Sequence, residues 1–378
     1  METIFWISIG GTLYSYIIYP AIMWAASHLT RKKTPTKNPR KDHTISLIIT
    51  AHNEEQRIAK KIEQSLALDF PSDQLEIIVA SDASTDNTDQ IARSYSDQGI
   101  TVIRAQERFG KEHAQQLAVN HANGELLIFS DVGTEIEKKS LMALTKYFND
   151  PKIGAVSSVD RMISGDGTAV GEGLYVRYEM ALRKHESQVS TLVGLSGSFF
   201  GVRREICADW NTNIPSDFNT ALNCARQHLK AISADDVIGI YPDIQNPVKE
   251  YPRKRRTILR GISAVAASTD LLNPFRHPLF SFQLVSHKIM RWAVPWFQLL
   301  LLGSNLAIVD QHGFYQLALL GQLTLLTTAL VGSVIYPKTD VIWLKIPAFF
   351  MQVNIAAAQA LIDYLMGKRA ITWAPSQR

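Results

Sequence analysis

The chain has 378 residues, 46% of them hydrophobic and 20% charged, and a formal net charge of +4. That length holds one domain of about 100–200 residues and more besides. The small positive surplus lies beside apolar segments, which favours anionic lipid over nucleic acid as a partner; Cys207 and Cys224, the only cysteines, have no metal-ligand spacing and are read as reduced thiols.

From Ile4 to Leu29 there is no Asp, Glu, Lys or Arg, enough apolar helix to cross a hydrocarbon layer of about 30 Å. Arg31, Lys32, Lys33, Lys37, Arg40 and Lys41 follow as a basic flank expected to stay cytoplasmic. Residues 1–30 are therefore read as an N-terminal transmembrane anchor. A cleaved signal peptide is the competing reading, because AAS at 25–27 resembles a cleavage site, but the cations follow the apolar run and none precedes it.

Residues 42–270 contain no long apolar run and alternate between strand and helix signals. Ile45–Thr50, Leu75–Ala80, Thr101–Arg104 and Leu126–Ser130 are expected strands, and 54–68 has helical spacing after the first. Such alternation predicts an α/β fold with a mostly parallel sheet and helices on both faces. The segment 271–291 mixes aromatics with His277, His287, Lys288 and Arg291, as an interfacial helix does. Residues 292–366 hold the remaining apolar material: Trp292–Val309 and Phe314–Tyr336 predict a hairpin joined by DQHG. In Val341–Met366 the residues Lys345, Gln352, Gln359 and Asp363 share one helical side. That stripe fits either a bundle interior or an interfacial helix. Three crossings plus an interfacial helix keep both basic flanks, including Lys368, Arg369 and Arg378, on the cytoplasmic side, whereas four crossings put the tail outside.

Ligands of open parallel sheets bind beyond the carboxyl ends of the strands. His52, Asn53 and Glu54 follow the first strand, Asp82, Ala83 and Ser84 the second, and Asp131 the fourth. One such carboxylate caps a helix as readily as it binds a ligand, but three strand ends in a row point to a site. ITAHNEE has no glycine, which excludes the usual dinucleotide turn.

These segments, in order, are ISLIITAHNEE, IIVASDASTDNT, FGKEHAQQLAVNHANGELLIFSDVGTEI, GLSGSFFGVRRE, IPSDFNTAL and RKRRTILRG. Over roughly residues 44–261 the chain resembles the inverting family 2 glycosyltransferases of the GT-A, Rossmann-like fold, which include cellulose and hyaluronan synthases. SHKIMRWAVP and GKRAITWAP look like membrane-attached members. The resemblance implies that Ala51, His52, Glu54, Asp82, Lys111 and Ser130, with Arg253, Arg256 and Arg260, bind a nucleotide sugar. Within that set Glu54 and Asp82 hold the base and ribose, while Lys111 and the arginines face the diphosphate. It further implies Gly197 and Ser198 in the acceptor or sugar pocket, Asp131 as first acid of a DxD motif for Mg²⁺ or Mn²⁺, and Asp217 as general base.

Each assignment has a physical reason. A departing diphosphate calls for a cation on hard oxygen ligands, inversion needs a carboxylate to take the acceptor's proton, and arginine forks match phosphate oxygens. Gly194, Gly197 and Gly201 would let backbone approach the sugar. Plainer readings stand beside these. Asp217 fits a helix N-cap on local sequence alone. Asp82 could only organise its turn, as Asp86 does. Lys254 and its arginines suit anionic lipid. Glu112 is read as an exposed helix residue, and His113 and His121 lack metal-partner spacing.

The chain departs from the family pattern at three places. Gly133 replaces the second acid of DxD, leaving Thr134 or Glu135 to assist, Ser216 stands where a second acid precedes the base, and Arg253 and Thr257 replace the glutamine and tryptophan of QxxRW. The lost tryptophan and the small hairpin favour single sugar addition over polymer extrusion. The expected protein is thus a multi-pass inner-membrane enzyme with a cytoplasmic catalytic domain. It passes a sugar, from UDP first of all, to a polyprenyl-linked or polysaccharide acceptor in bacterial exopolysaccharide or lipopolysaccharide assembly. A processive synthase and a non-catalytic membrane-tethered nucleotide-sugar binder remain as alternatives, while transport is excluded by too few spans.

Overall fold

The computed structural model describes residues 1–30, 42–163, 174–208, 210–242, 247–335 and 341–370. The basic flank from Arg31 to Lys41, together with Tyr336 and residues 371–378, lies outside the described residues. The chain divides into two units: one is built on a sheet, and the other gathers residues 1–22, 244–267 and 281–370.

The strands of the sheet unit are β1 (Ile45–Ala51), β2 (Leu75–Ser81), β3 (Ile100–Arg104), β4 (Leu126–Asp131), β5 (Glu135–Ile136), β6 (Ile153–Ile163), β7 (Phe199–Arg203) and β8 (Lys230–Pro242). All seven residues of β1 are buried, as expected of a central strand covered on both faces. The period of two divides the apolar residues between the faces. Leu47, Ile49, Val79 and Ile128 pack under Ile58 and Ile62 of the Ile58–Leu66 helix and Leu144 of the Ser140–Tyr147 helix. Ile48, Ile78, Leu127 and Phe129 pack under Ala114 and Ala118 of the Lys111–His121 helix and Ala221 of the Ser216–Arg226 helix.

The order is β3-β2-β1-β4-β7-β6-β8-β5. The four expected strands pair in parallel, with Thr50 beside Asp131 and Ala51 beside Ser81, so their carboxyl ends align. Beyond β4 the sheet is mixed: β7 runs antiparallel to β4 and β6, β8 runs parallel to β6, and β5 is antiparallel to β8. Since β7 is reversed, its amino end enters at the carboxyl end of β4, with Phe199 opposite Ser130. The helix after β1 begins at Ile58, later than its spacing suggests, because Glu54 to Arg57 form a turn closed by Arg57 N–H on the Glu54 carbonyl.

Burial pushes both cysteine thiols up, so they are inert core groups. Glu112 is buried and not exposed, at 3%; it occupies the first turn of its helix, where the helix dipole favours an acid. Gly201 is small because a Cβ there would meet Leu144 and Ile128, and Gly194 because it faces Phe218; core packing accounts for both.

The helical unit corrects the N-terminal expectation. The stretch from Glu2 to Leu29 is helical, but Tyr14–Ile18 is a π turn, so no uninterrupted α-helix of spanning length forms and the segment is not a clear span. Pro20 has no N–H to continue the ladder back to Tyr16. Among the described residues, two helices are long and apolar enough to cross a membrane, Gly313–Ile335 and Ile342–Leu365. They pack closely: a Cβ on Gly332 would lie 2.4 Å from the Leu344 carbonyl oxygen, the small-residue contact that lets membrane helices approach. The Met290–Ile308 helix follows Pro278–Leu284 through a second π turn, Val285–Ile289. On the last helix, Asp363 accepts from Arg255 Nε at 2.6 Å and Gln359 from the Tyr251 hydroxyl at 2.7 Å, so this part of the polar stripe meets the Pro247–Ala266 helix.

One buried lysine shapes the site edge. Lys61, 2% exposed, donates to Ser130 Oγ at 2.8 Å and to the Thr134 carbonyl at 2.5 Å, tying down both ends of the turn after β4. Burial pulls its amine down to about 7, against the opposing pull of Asp131 and Glu135.

Two outcomes follow for stability. A Cβ on Gly124 would stand 2.4 Å from the Ser46 main-chain nitrogen, so Gly124→Ala should cost about 1–3 kcal/mol, seen as a lower thermal midpoint. From about 7 up to the ordinary lysine value the unfolded chain holds a Lys61 proton that the folded chain sheds, so stability should rise with pH by up to about 1.4 kcal/mol per unit. Lys61→Met should flatten that rise when unfolding in detergent is followed across this window; parallel curves for parent and variant would refute it.

Candidate active site

The loops after β1 and β2 are stitched together. Asn53 and Ala83 both adopt positive φ, 54° and 51°. His52 Nδ1 lies 2.6 Å from the Asp82 carbonyl, Asn53 Oδ1 accepts from Thr85 N–H at 2.8 Å, and Glu54 N–H donates to Thr88 Oγ1 at 2.7 Å. The Ala51 carbonyl accepts from Asp82 N–H at 2.9 Å. Asp86 organises the turn by accepting from Thr88 and Glu55 N–H groups.

Asp82 has a different task. Its side chain is fully buried, and Oδ1 accepts from the Phe109 and Gly110 N–H groups at 3.1 and 3.0 Å. Gly110 has φ 101°, open to glycine alone among common residues, and it starts the Lys111–His121 helix. Asp82 Oδ2 has no hydrogen-bond donor, and Arg108 Nε is 3.9 Å away. A buried carboxylate oxygen in this state keeps the capacity to accept one further hydrogen bond.

The turn at Gly110 delivers Lys111 to β4. Lys111 Nζ donates to Asp131 Oδ1 at 2.5 Å and to the Gly197 carbonyl at 2.9 Å. Asp131 N–H donates to the Ser198 carbonyl at 3.0 Å. On the far side of that loop, a Cβ on Gly197 would sit 3.2 Å from Asp217 Oδ2. Glycine therefore lets the loop pass directly against the carboxylate. Asp217 lies in the first turn of its helix and is not the cap; Pro215 holds that position with no side-chain capping bond. The structure thus brings together Asp131, Lys111, Gly197, Ser198 and Asp217, with Ser130 held behind them by Lys61.

Three contributors escaped sequence reasoning. Asp160, near the carboxyl end of β6, accepts from Ser196 Oγ at 2.7 and 2.8 Å and from Ser198 Oγ at 3.1 Å, fixing the same loop. Its signal was available: an acid closing the strand-like run AVSSVD. Lys61 shares a face with Ile58 and Ile62, a position where lysine is rarely expected. Arg57 donates through Nε to Glu54 Oε2 at 2.8 Å. Burial raises the pKa of Glu54, 4% exposed, while Arg57 lowers it.

Arg253, Arg256 and Arg260 belong to the other unit, on the Pro247–Ala266 helix. Spacings of three and four place them on one face, away from Arg255, which Asp363 engages.

No group of three His, Cys, Asp or Glu that could enclose a metal occurs among the described residues. An ion that keeps water and substrate phosphates in its shell needs only one or two carboxylates. Asp131, its side chain 26% exposed at the strand end, fits that demand and not an all-protein cage.

Residues 46–210 match the model for glycosyl transferase family 2. A beta-monoglucosyldiacylglycerol synthase of Nostoc sp. is 27% identical over 184 residues, 46% of this chain and 39% of the relative. A poly-beta-1,6-N-acetyl-D-glucosamine synthase of Staphylococcus aureus is 22% identical over 220 residues, 53% of each. The chain therefore spans about half or less of these curated relatives. Among solved structures, a mannosyltransferase from Pyrobaculum calidifontis in complex with GDP-Man and Mn2+ superposes with a TM-score of 0.74 at 22% identity, covering 97% of this chain and all of that one. With the strand-end loops converging on Asp131, the chain carries a glycosyl transferase family 2 domain, residues 46–210, on a GT-A fold.

Proposed function

We propose that the protein is a membrane-attached inverting glycosyltransferase that moves a sugar from a nucleoside diphosphate, UDP first of all, to a hydroxyl group on a lipid-borne acceptor. The observation that carries this is the convergence of two carboxylates on one short loop: Asp131, bonded to Ser198 and paired with Lys111, and Asp217 against Gly197. The first suits a leaving diphosphate and the second a proton acceptor.

Asp82 Oδ2 and Glu54 are the acceptors for base and ribose, with His52 and Ala51 shaping that wall. Lys111 faces the diphosphate, and Arg253, Arg256 and Arg260 carry planar forks of the kind that suits phosphate oxygens. Asp217 takes the acceptor hydroxyl proton as the new bond forms at the anomeric carbon. The bond from that carbon to the diphosphate oxygen breaks on the opposite side, and its electron pair leaves with the nucleoside diphosphate. Asp131 would hold Mg²⁺ or Mn²⁺, which when bound offsets charge on the phosphates. Gly197 and Ser198 border the transferred sugar.

Two apolar helices and relatives named for glycolipid and polysaccharide synthesis support a membrane-surface acceptor. We assign the work to exopolysaccharide or lipopolysaccharide assembly at the inner membrane, with the sheet unit cytoplasmic. Thr257 in place of an aromatic platform favours one addition per encounter.

Membranes containing the protein should release UDP or GDP from one of a panel of nucleotide sugars. Asp217→Asn should lower turnover by about 10²–10⁴-fold while nucleotide-sugar affinity stays within about twofold. Asp131→Ala should lower turnover and remove its response to Mn²⁺. Unchanged turnover in both variants would overturn the reading.

A further inference from the structure

The family motif has an acid two residues after Asp131, where this chain has Gly133. A Cβ at Gly133 would find Arg57 Nη1 at 3.7 Å and no other atom within 4 Å outside its own neighbours. The missing side chain therefore leaves open ground beside a guanidinium.

Arg57 is held from behind. Its Nε and Nη2 reach the same Glu54 oxygen, at 2.8 and 2.6 Å. Glu54 is 4% exposed and so is a fixed anchor, whereas the Arg57 side chain is 34% exposed. One edge of the fork is engaged and Nη1 is turned toward Gly133. An acid at 133 would extend toward that nitrogen and neutralise it. In a two-acid motif both positions would be anionic; here the first is paired with Lys111 and the second stands beside a cation.

We propose that Arg57 is a diphosphate-binding residue of the donor site, supplying through Nη1 part of the charge neutralisation that a metal ion held by a second acid would supply. Guanidinium stays charged and offers fixed donors to phosphate oxygens. Nucleoside diphosphate binding in this protein therefore persists when divalent cations are removed. The proposal rests on the nucleotide-sugar reading above.

Calorimetric titration of the purified full chain in detergent with UDP, GDP and uridine, in EDTA and in Mn²⁺, tests both. Arg57→Gln should weaken diphosphate binding in EDTA by about tenfold or more and leave uridine binding unchanged; Arg57→Lys should recover part of the loss. Gly133→Asp places its Cβ at ordinary contact distance from Arg57 alone, so it should fold, weaken metal-free binding and enlarge the ratio of affinity with Mn²⁺ to affinity without. It decides the matter should Arg57→Gln fail to fold. The proposal is overturned if the parent binds diphosphates only with Mn²⁺, if Arg57→Gln binds UDP in EDTA like the parent, or if Gly133→Asp changes neither quantity. A parent that binds neither UDP nor GDP under any condition overturns the proposed function itself.

Discussion

The ion pair between Lys111 and Asp131 is the contact on which the arrangement of the sheet edge depends. It joins the end of β4 to the start of a helix, and through the Gly197 carbonyl it holds the loop that enters β7. A lysine only 8% exposed, with its charge matched at 2.5 Å, resists displacement far more than a surface pair. Remove its partner and a nearly buried charge is left uncompensated. The Gly197 carbonyl would then be held by a lysine no longer fixed by its carboxylate.

Around that pair the local economy of charge is unusual for a site with one motif acid. Lys61 closes the turn from beneath, Arg57 lies beside Gly133, and Lys111 meets the carboxylate directly. Lys111 meets Asp131 from the helix after β3, while Lys61 and Arg57 come to the same turn from the helix after β1 and its N-cap. The same crowding makes the edge attractive to a polyanion. Asp160 contributes differently, fixing Ser196 and Ser198 by hydrogen bonds and so the path of the loop that runs past Asp131 and Asp217.

The helical unit shows the same economy in an apolar setting. Asp363 on the last helix is paired with Arg255 and Lys368, and Lys254 Nζ lies 3.7 Å from the centroid of the Phe349 ring. A polar stripe that fitted either a bundle interior or an interface is in this part satisfied by a neighbouring helix. Arg253, Arg256 and Arg260 lie on another face of that helix from Arg255.

What the sequence determined by itself was local. The apolar runs of β1, β2 and β4, the acids at their ends and the glycine before Lys111 specify parallel strands opening on polar loops, because period and turn chemistry are written in consecutive residues. The order of the motifs was enough to point to the family whose model residues 46–210 match. Tertiary structure alone decided what meets those loops. The reversed β7 carries Gly197 and Ser198 to Asp131, and Asp160 reaches the site from β6 and Lys61 and Arg57 from the helix after β1 and its N-cap. Strand direction depends on long-range pairing, and a lysine or arginine on a helix gives no sign in sequence of facing a core. Pairing partners separated by dozens of residues are selected by packing, which no local pattern encodes.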